Sequence, residues 1–111
     1  MNIREFINAV RNRPQMYVEE VRIDYLFYLI FGFLGNNLMD NQYCIDKKFS
    51  NLFYDWVLNW VKKNVDDKYE CSSLFWYHIF VEVTDTESEA VELFFVLCKD
   101  FFEQFDDCEK Q

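Results

Sequence analysis

The stretch 49-FSNLFYDWVLNWV-61 sets the fold class. Phe49, Leu52, Phe53, Trp56, Val57, Trp60 and Val61 recur at i, i+3, i+4, i+7 spacing, while Ser50, Asp55, Asn59, Lys62 and Lys63 fall opposite. On a helix this is one apolar stripe with a polar back; on a strand the same residues would scatter over both faces. A third helix is therefore expected here.

Toward the C-terminus, the polar run Asn64 to Glu70, with Asp66 and Asp67, interrupts the helix, and Ser72 or Ser73 can cap the next element. Leu74–Val83 is aromatic and β-branched enough for a strand. No second strand candidate of comparable quality exists to pair with it. A helix is therefore expected, with Phe75, Trp76, Ile79, Phe80 and Val83 facing inward. Thr86-Glu87-Ser88-Glu89 has the spacing of a capping box and opens a long last helix. Its wide apolar face comprises Ala90, Val91, Phe94, Phe95, Leu97, Cys98, Phe101, Phe102 and Phe105, and residues 106–111 read as a frayed tail.

Toward the N-terminus, Met39 to Lys48 reads as a loop. Before it, Asp24 can cap a second helix carrying Leu26, Phe27, Leu29, Ile30, Phe31, Phe33 and Leu34. This run is apolar on nearly every side, which predicts the central, most buried element; Gly32 and Gly35, late in it, either permit close helix contact or mark its end, with Asn36-Asn37 as a further stop signal. Ile3, Phe6, Ile7 and Val10 form a short first helix that stops at Arg13-Pro14. The connector from Pro14 to Glu20 is expected to pack Met16, Tyr17 and Val18 on the core. With 2 Gly and 1 Pro, turn residues are too few for many short strands. The expectation is an all-α fold: one domain, residues 1–111, built as a bundle of about five helices.

The chain carries 20 acidic against 11 basic residues, a formal net charge of −9. That field opposes phosphate backbones and anionic lipid and favours encounter with a basic protein. Cys44, Cys71, Cys98 and Cys108 show no C-x-x-C spacing, and His78 is the single histidine, so no structural zinc site is expected. With no signal-peptide pattern at Met1–Phe6 and no apolar run of spanning length, a cytoplasmic protein with free thiols is expected.

Little of the sequence speaks for catalysis. There is no glycine-rich phosphate loop, no G-x-S-x-G turn and no H-E-x-x-H helix, and no cofactor is expected. His78 is a candidate general base, but it lies in the most aromatic stretch, where a packed histidine is the commoner outcome. The carboxylates Asp66-Asp67, Glu87/Glu89 and Asp106-Asp107 lack the loop spacing of a calcium hand. The 23 aromatics (13 Phe, 7 Tyr, 3 Trp) exceed what one small core encloses. Some of Tyr17, Tyr25, Tyr28, Tyr43, Tyr54, Trp60, Tyr69 and Tyr77 should therefore be partly exposed, as rigid anchors for a protein partner.

The order of landmarks resembles a family of small bacterial immunity proteins encoded beside toxins, as in contact-dependent growth inhibition and related polymorphic toxin systems. The matching pieces are Ile3-Arg4-Glu5-Phe6, Arg13-Pro14-Gln15-Met16-Tyr17-Val18, the helix Leu26 to Leu34, Phe53-x-x-Trp56-Val57, Trp76-Tyr77-His78-Ile79 and Glu89-Ala90-Val91-Glu92-Leu93-Phe94-Phe95. Glycine is commoner than Gln15 after the proline in such sequences. The resemblance implies a non-enzymatic inhibitor of one cognate toxin, whose C-terminal domain is frequently a basic ribonuclease or deoxyribonuclease. The inhibitor would cover the toxin's substrate cleft or an adjacent surface. The expected contacts lie on the outer side of the last helix and the acidic loop: Asp66, Asp67, Glu70, Glu89, Glu92, Asp100 and Glu103. The rival readings are an acidic DNA mimic that blocks a nucleic-acid-binding protein, and a small enzyme built around His78.

Overall fold

Among the described residues five α-helices run in the order α1 (Ile3–Asn12), α2 (Ile23–Asp40), α3 (Cys44–Asn64), α4 (Tyr77–Val83) and α5 (Glu87–Gln104), with a 3-10 turn at Pro14–Met16. In this computed structural model residues 1–40 and 43–105 are described, the side chains of 37–40 excepted. The all-α bundle expected from the pattern is what forms. No helix is long and apolar enough to cross a membrane among the described residues. The tail at 106–111 lies outside them.

α1 is fixed at its start by a capping box: Asn2 Oδ1 accepts the Glu5 N–H at 2.9 Å, and Glu5 Oε1 accepts the Asn2 N–H at 3.0 Å. It ends at Arg13, where Pro14 cannot continue the ladder. Phe6 then stacks on Phe33 of α2 at 4.1 Å and meets the Tyr17 edge at 5.6 Å. Val18 packs against the core as expected, whereas Tyr17 touches it only through this edge contact and stays exposed, and Met16 points to solvent.

α3 is longer than its sequence pattern suggested. Ile45, Phe49, Phe53, Val57 and Val61 form an i, i+4 ladder, each at 1% exposure or less. Ile45 is followed by the charged run Asp46-Lys47-Lys48, which separates it from the apolar pattern that begins at Phe49, so 44–48 is helix and not loop. Asp46, in the first turn of α3, is fully buried, and its Oδ1 accepts the Ile3 N–H at 2.7 Å. One carboxyl therefore satisfies an orphan donor at the start of α1 from another helix.

The second cap is also supplied at long range. α2 starts at Ile23 and not after Asp24, and the Ile23 N–H donates to Glu87 Oε1, 64 residues away, at 2.5 Å. Asp24 instead holds Arg22 through paired contacts of 2.9 and 3.1 Å. At α5, the Glu89 N–H donates to Thr86 Oγ1 at 3.1 Å, and the Thr86 hydroxyl lies 3.2 Å from Glu89 Oε1. The expected box is thus present on its threonine side, with the glutamate engaging the hydroxyl.

The core is aromatic. Phe53 packs against Phe49 at 4.3 Å, Trp76 at 5.4 Å, Phe101 at 5.5 Å and Phe94 at 6.1 Å, and Trp76 stacks on Phe94 at 4.9 Å. α2 packs against α1, α3, α4 and α5, yet among its described side chains only Ile23, Leu26, Phe27, Ile30 and Leu34 are buried. Its outer face remains open, so α2 is not the enclosed element expected. The helical run after Ser73 is shorter than expected as well: 74–76 is a turn, Trp76 is buried, and Phe75 faces outward.

Cys98 is a buried free thiol and Cys71 a half-buried one, whereas Cys44 is held in a disulfide, so the expectation of free thiols fails at Cys44.

Two stability changes follow. Asp46→Ala leaves the Ile3 donor unsatisfied in a dry site and should cost about 1–3 kcal/mol in denaturant unfolding, while Asp46→Asn, which keeps an acceptor oxygen, should cost less. Gly32 and Gly35 have helical φ, and a Cβ on either meets nothing within 4 Å. Replacing either with Ala should therefore stabilise the chain, by roughly 0.5–1 kcal/mol each.

Candidate interaction surface

The residues α2 leaves uncovered define a surface. From Tyr25 to Asn36 the helix has no charged residue, and Tyr25, Tyr28, Phe31, Gly32 and Gly35 fall on one outward face. Phe31 is 66% and Tyr28 56% exposed. Beside them the turn before α4 presents Leu74, 91% exposed, and Phe75, 44% exposed. The patch is continuous: Phe27 contacts both Phe31 (6.0 Å) and Phe75 (5.2 Å), Phe75 lies 6.3 Å from Tyr77, and Tyr77 lies 6.2 Å from Tyr28. Burial, the Tyr28 hydroxyl and then the nearby Asp24 carboxyl push the Tyr77 phenol above its ordinary value.

A groove of about 230 Å³ opens in this patch, between the outer part of α2, the start of α3 and the turn at 74–76. Phe27, Phe31, Phe49, Tyr54, Leu74 and Phe75 are among its walls. Apolar groups of this size and density left in water usually mark a binding surface.

The turn that carries Leu74 and Phe75 is anchored. Tyr54 Oη donates to the Ser73 carbonyl at 2.5 Å, the Cys71 thiol lies 3.7 Å from the same oxygen, and the Phe75 N–H donates to Ser73 Oγ at 3.1 Å. Further along, Tyr69 Oη donates to Glu82 Oε1 at 2.5 Å, tying the connector to α4. Burial first, then the Cys71 thiol, pushes the Tyr54 phenol up to about 12. Burial, then Glu82 and Cys71, holds the Tyr69 phenol well above its usual range.

The seven acids expected at the interface fall into two groups, all of them exposed. Glu89, Glu92, Asp100 and Glu103 follow i, i+3, i+11, i+14 spacing and form a stripe on the outer side of α5, with Val96 between them and Lys99 alongside. Glu89 is partly committed to the cap at Thr86. Asp66, Asp67 and Glu70 sit in the connector after α3, where Asp66 Oδ1 accepts the Lys68 N–H at 3.0 Å and the Asp66 carbonyl accepts from Tyr69 at 3.1 Å. Asp66 therefore shapes its own turn. Neither group shares an element with the exposed face of α2.

His78 is half-buried and stacks on Tyr77 at 4.2 Å, with Phe75 at 6.4 Å. Among the described residues no group of three or more His, Cys, Asp or Glu side chains converges as a metal site requires.

The aromatics expected to be partly exposed are so to differing degrees: Tyr17, Tyr25 and Tyr28 are exposed, and Tyr43, Tyr54, Trp60, Tyr69 and Tyr77 are half-buried. Sequence reasoning missed Phe31, Leu74 and Phe75. The available signal was α2 itself, whose apolar residues surround the helix although a bundle covers one stripe.

The alkaline limb of stability tests the anchor. A phenol raised in the folded state keeps its full stabilising effect below the unfolded value near 10 and loses it as pH climbs through the folded value. Wild-type stability should fall between pH 10 and 12, measured by urea unfolding. Tyr54→Phe should be about 1 kcal/mol less stable at pH 7, through the lost Ser73 hydrogen bond, and should show a shallower alkaline fall.

No family model matches the chain, and neither the curated proteins nor the solved structures contain a match.

Proposed function

We propose that this chain is an immunity protein that binds and neutralises a cognate toxin, a basic nuclease, by covering its substrate cleft or a surface beside it. The observation that carries the reading is the pairing of a net charge of −9 with a rigidly held, solvent-exposed aromatic patch. Exposed aromatics on a helical frame supply contact area with little ordering cost, and desolvated aromatic anchors dominate the energetics of tight complexes. The acidic field supplies speed, because steering raises association by one to three orders of magnitude over a neutral encounter. An inhibitor of an intracellular nuclease needs both. The landmarks shared with the immunity proteins of polymorphic toxin systems point the same way, and the partner is then protein and not nucleic acid or membrane. The site of action would be the cytoplasm.

The test is to express the C-terminal region of the adjacent coding sequence with and without this chain. Growth arrest in its absence and growth in its presence are expected; a harmless product, or arrest despite a stable copy of the chain, sinks the reading. The acidic contacts are tested by Glu92→Lys, Asp100→Lys and Glu103→Lys together, which spare the caps at Glu89 and Asp66. Association with the toxin should slow by roughly tenfold or more at low salt, with melting unchanged.

A further inference from the structure

The outer face of α2 has two properties that self-contained packing does not call for. Two glycines, Gly32 and Gly35, lie in a row of exposed aromatics, and among the described residues nothing comes within 4 Å of where a Cβ on either would sit. Within the helix they cost stability, and no positive φ requires them. What they offer is bare backbone that another element can approach closely, beside a groove of about 230 Å³. For scale, an engineered cavity of about 150 Å³ accepts a benzene ring. The groove therefore has room for one large apolar side chain.

The charge around it selects the occupant. Arg22, the cation over the Tyr25 ring at 4.6 Å, is held by Asp24 at 2.9 Å and lies 3.7 Å from Glu20. Asp24 acts on the Tyr77 phenol at one end of the patch, and Asp55 and Glu82 act on Tyr54 at the other. Arg22 is thus compensated by two acids, the chain as a whole carries −9, and the floor is apolar. A second copy of the chain would bring another −9 to the same face.

Resting on the toxin-inhibitor reading, we propose that the centre of the interface is this shelf, and that its occupant is a cationic amphipathic segment of the toxin. The segment lies along the Gly32 and Gly35 backbone and places one large apolar side chain between Phe31, Leu74 and Phe75. The acids of α5 and the connector then steer, and the shelf holds.

Two arms test this. In the first, a short synthetic Lys/Leu peptide with one Trp is titrated into the isotopically labelled chain. Amide shifts are expected at Gly32, Gly35, Leu74 and Phe75. Binding should weaken by roughly tenfold or more in Leu74→Asp and in the Gly32→Ala, Gly35→Ala double variant, both of which change exposed positions and should fold. Shifts confined to α5, or unchanged affinity in the variants, overturn the proposal, as does a dimer of the free chain by sedimentation that Phe31→Asp dissociates. In the second arm the same variants are co-expressed with the toxin domain. If wild type protects and the shelf variants protect equally well, the shelf assignment fails and the immunity reading stands. If wild type gives no protection while the peptide seats on the shelf, the immunity reading fails and the surface stands.

Discussion

Burial of the Phe53 ring is the constraint from which the rest of the arrangement follows. Phe53 sits midway along the α3 ladder and is surrounded by Phe49 from its own helix, Trp76 from the turn before α4, and Phe94 and Phe101 from α5. Trp76 must therefore reach inward to stack on Phe94 at 4.9 Å. A turn that sends Trp76 into the core sends its predecessors out, and Leu74 and Phe75 emerge beside the uncovered side of α2. The packing of the core and the making of the surface are one event.

The same economy appears at the helix ends. Two of the bundle's orphan backbone donors, Ile3 N–H and Ile23 N–H, are satisfied by Asp46 and Glu87 from distant elements. These carboxyls work as tertiary pins: each removes an unsatisfied donor and fixes one helix start against another. Part of the chain's acidity is therefore structural. The carboxylates on the outer side of α5 are available to a partner in a way that Asp46 and Glu87 are not.

The functional proposal joins two surfaces that differ in kind. Carboxylates spread over α5 and the connector act at a distance and are screened by salt, whereas the aromatic shelf acts only in contact. Association speed and residence time are in this way assigned to different residues, so each can change with little effect on the other. The hydrogen bonds at Ser73 belong to the second surface, since they hold Leu74 and Phe75 in place before any partner arrives.

By itself the sequence determined the fold class, the five helices and most of the core, because helical periodicity is a local property that Phe49–Val61 and Ala90–Phe102 carry in full. It also determined the acidic character and that aromatics would be left over. Only the tertiary structure decided which aromatics those were. Phe31 and Phe75 have the same local signature as Phe27 and Phe80, and the difference lies in whether another helix covers them. Asp46 and Glu87 are alike in this respect: nothing next to them in the chain distinguishes a carboxylate that caps another helix from an unengaged one, because their partners are 43 and 64 residues away. Position on a helix is written in the spacing of nearby residues, but burial depends on which distant surfaces meet.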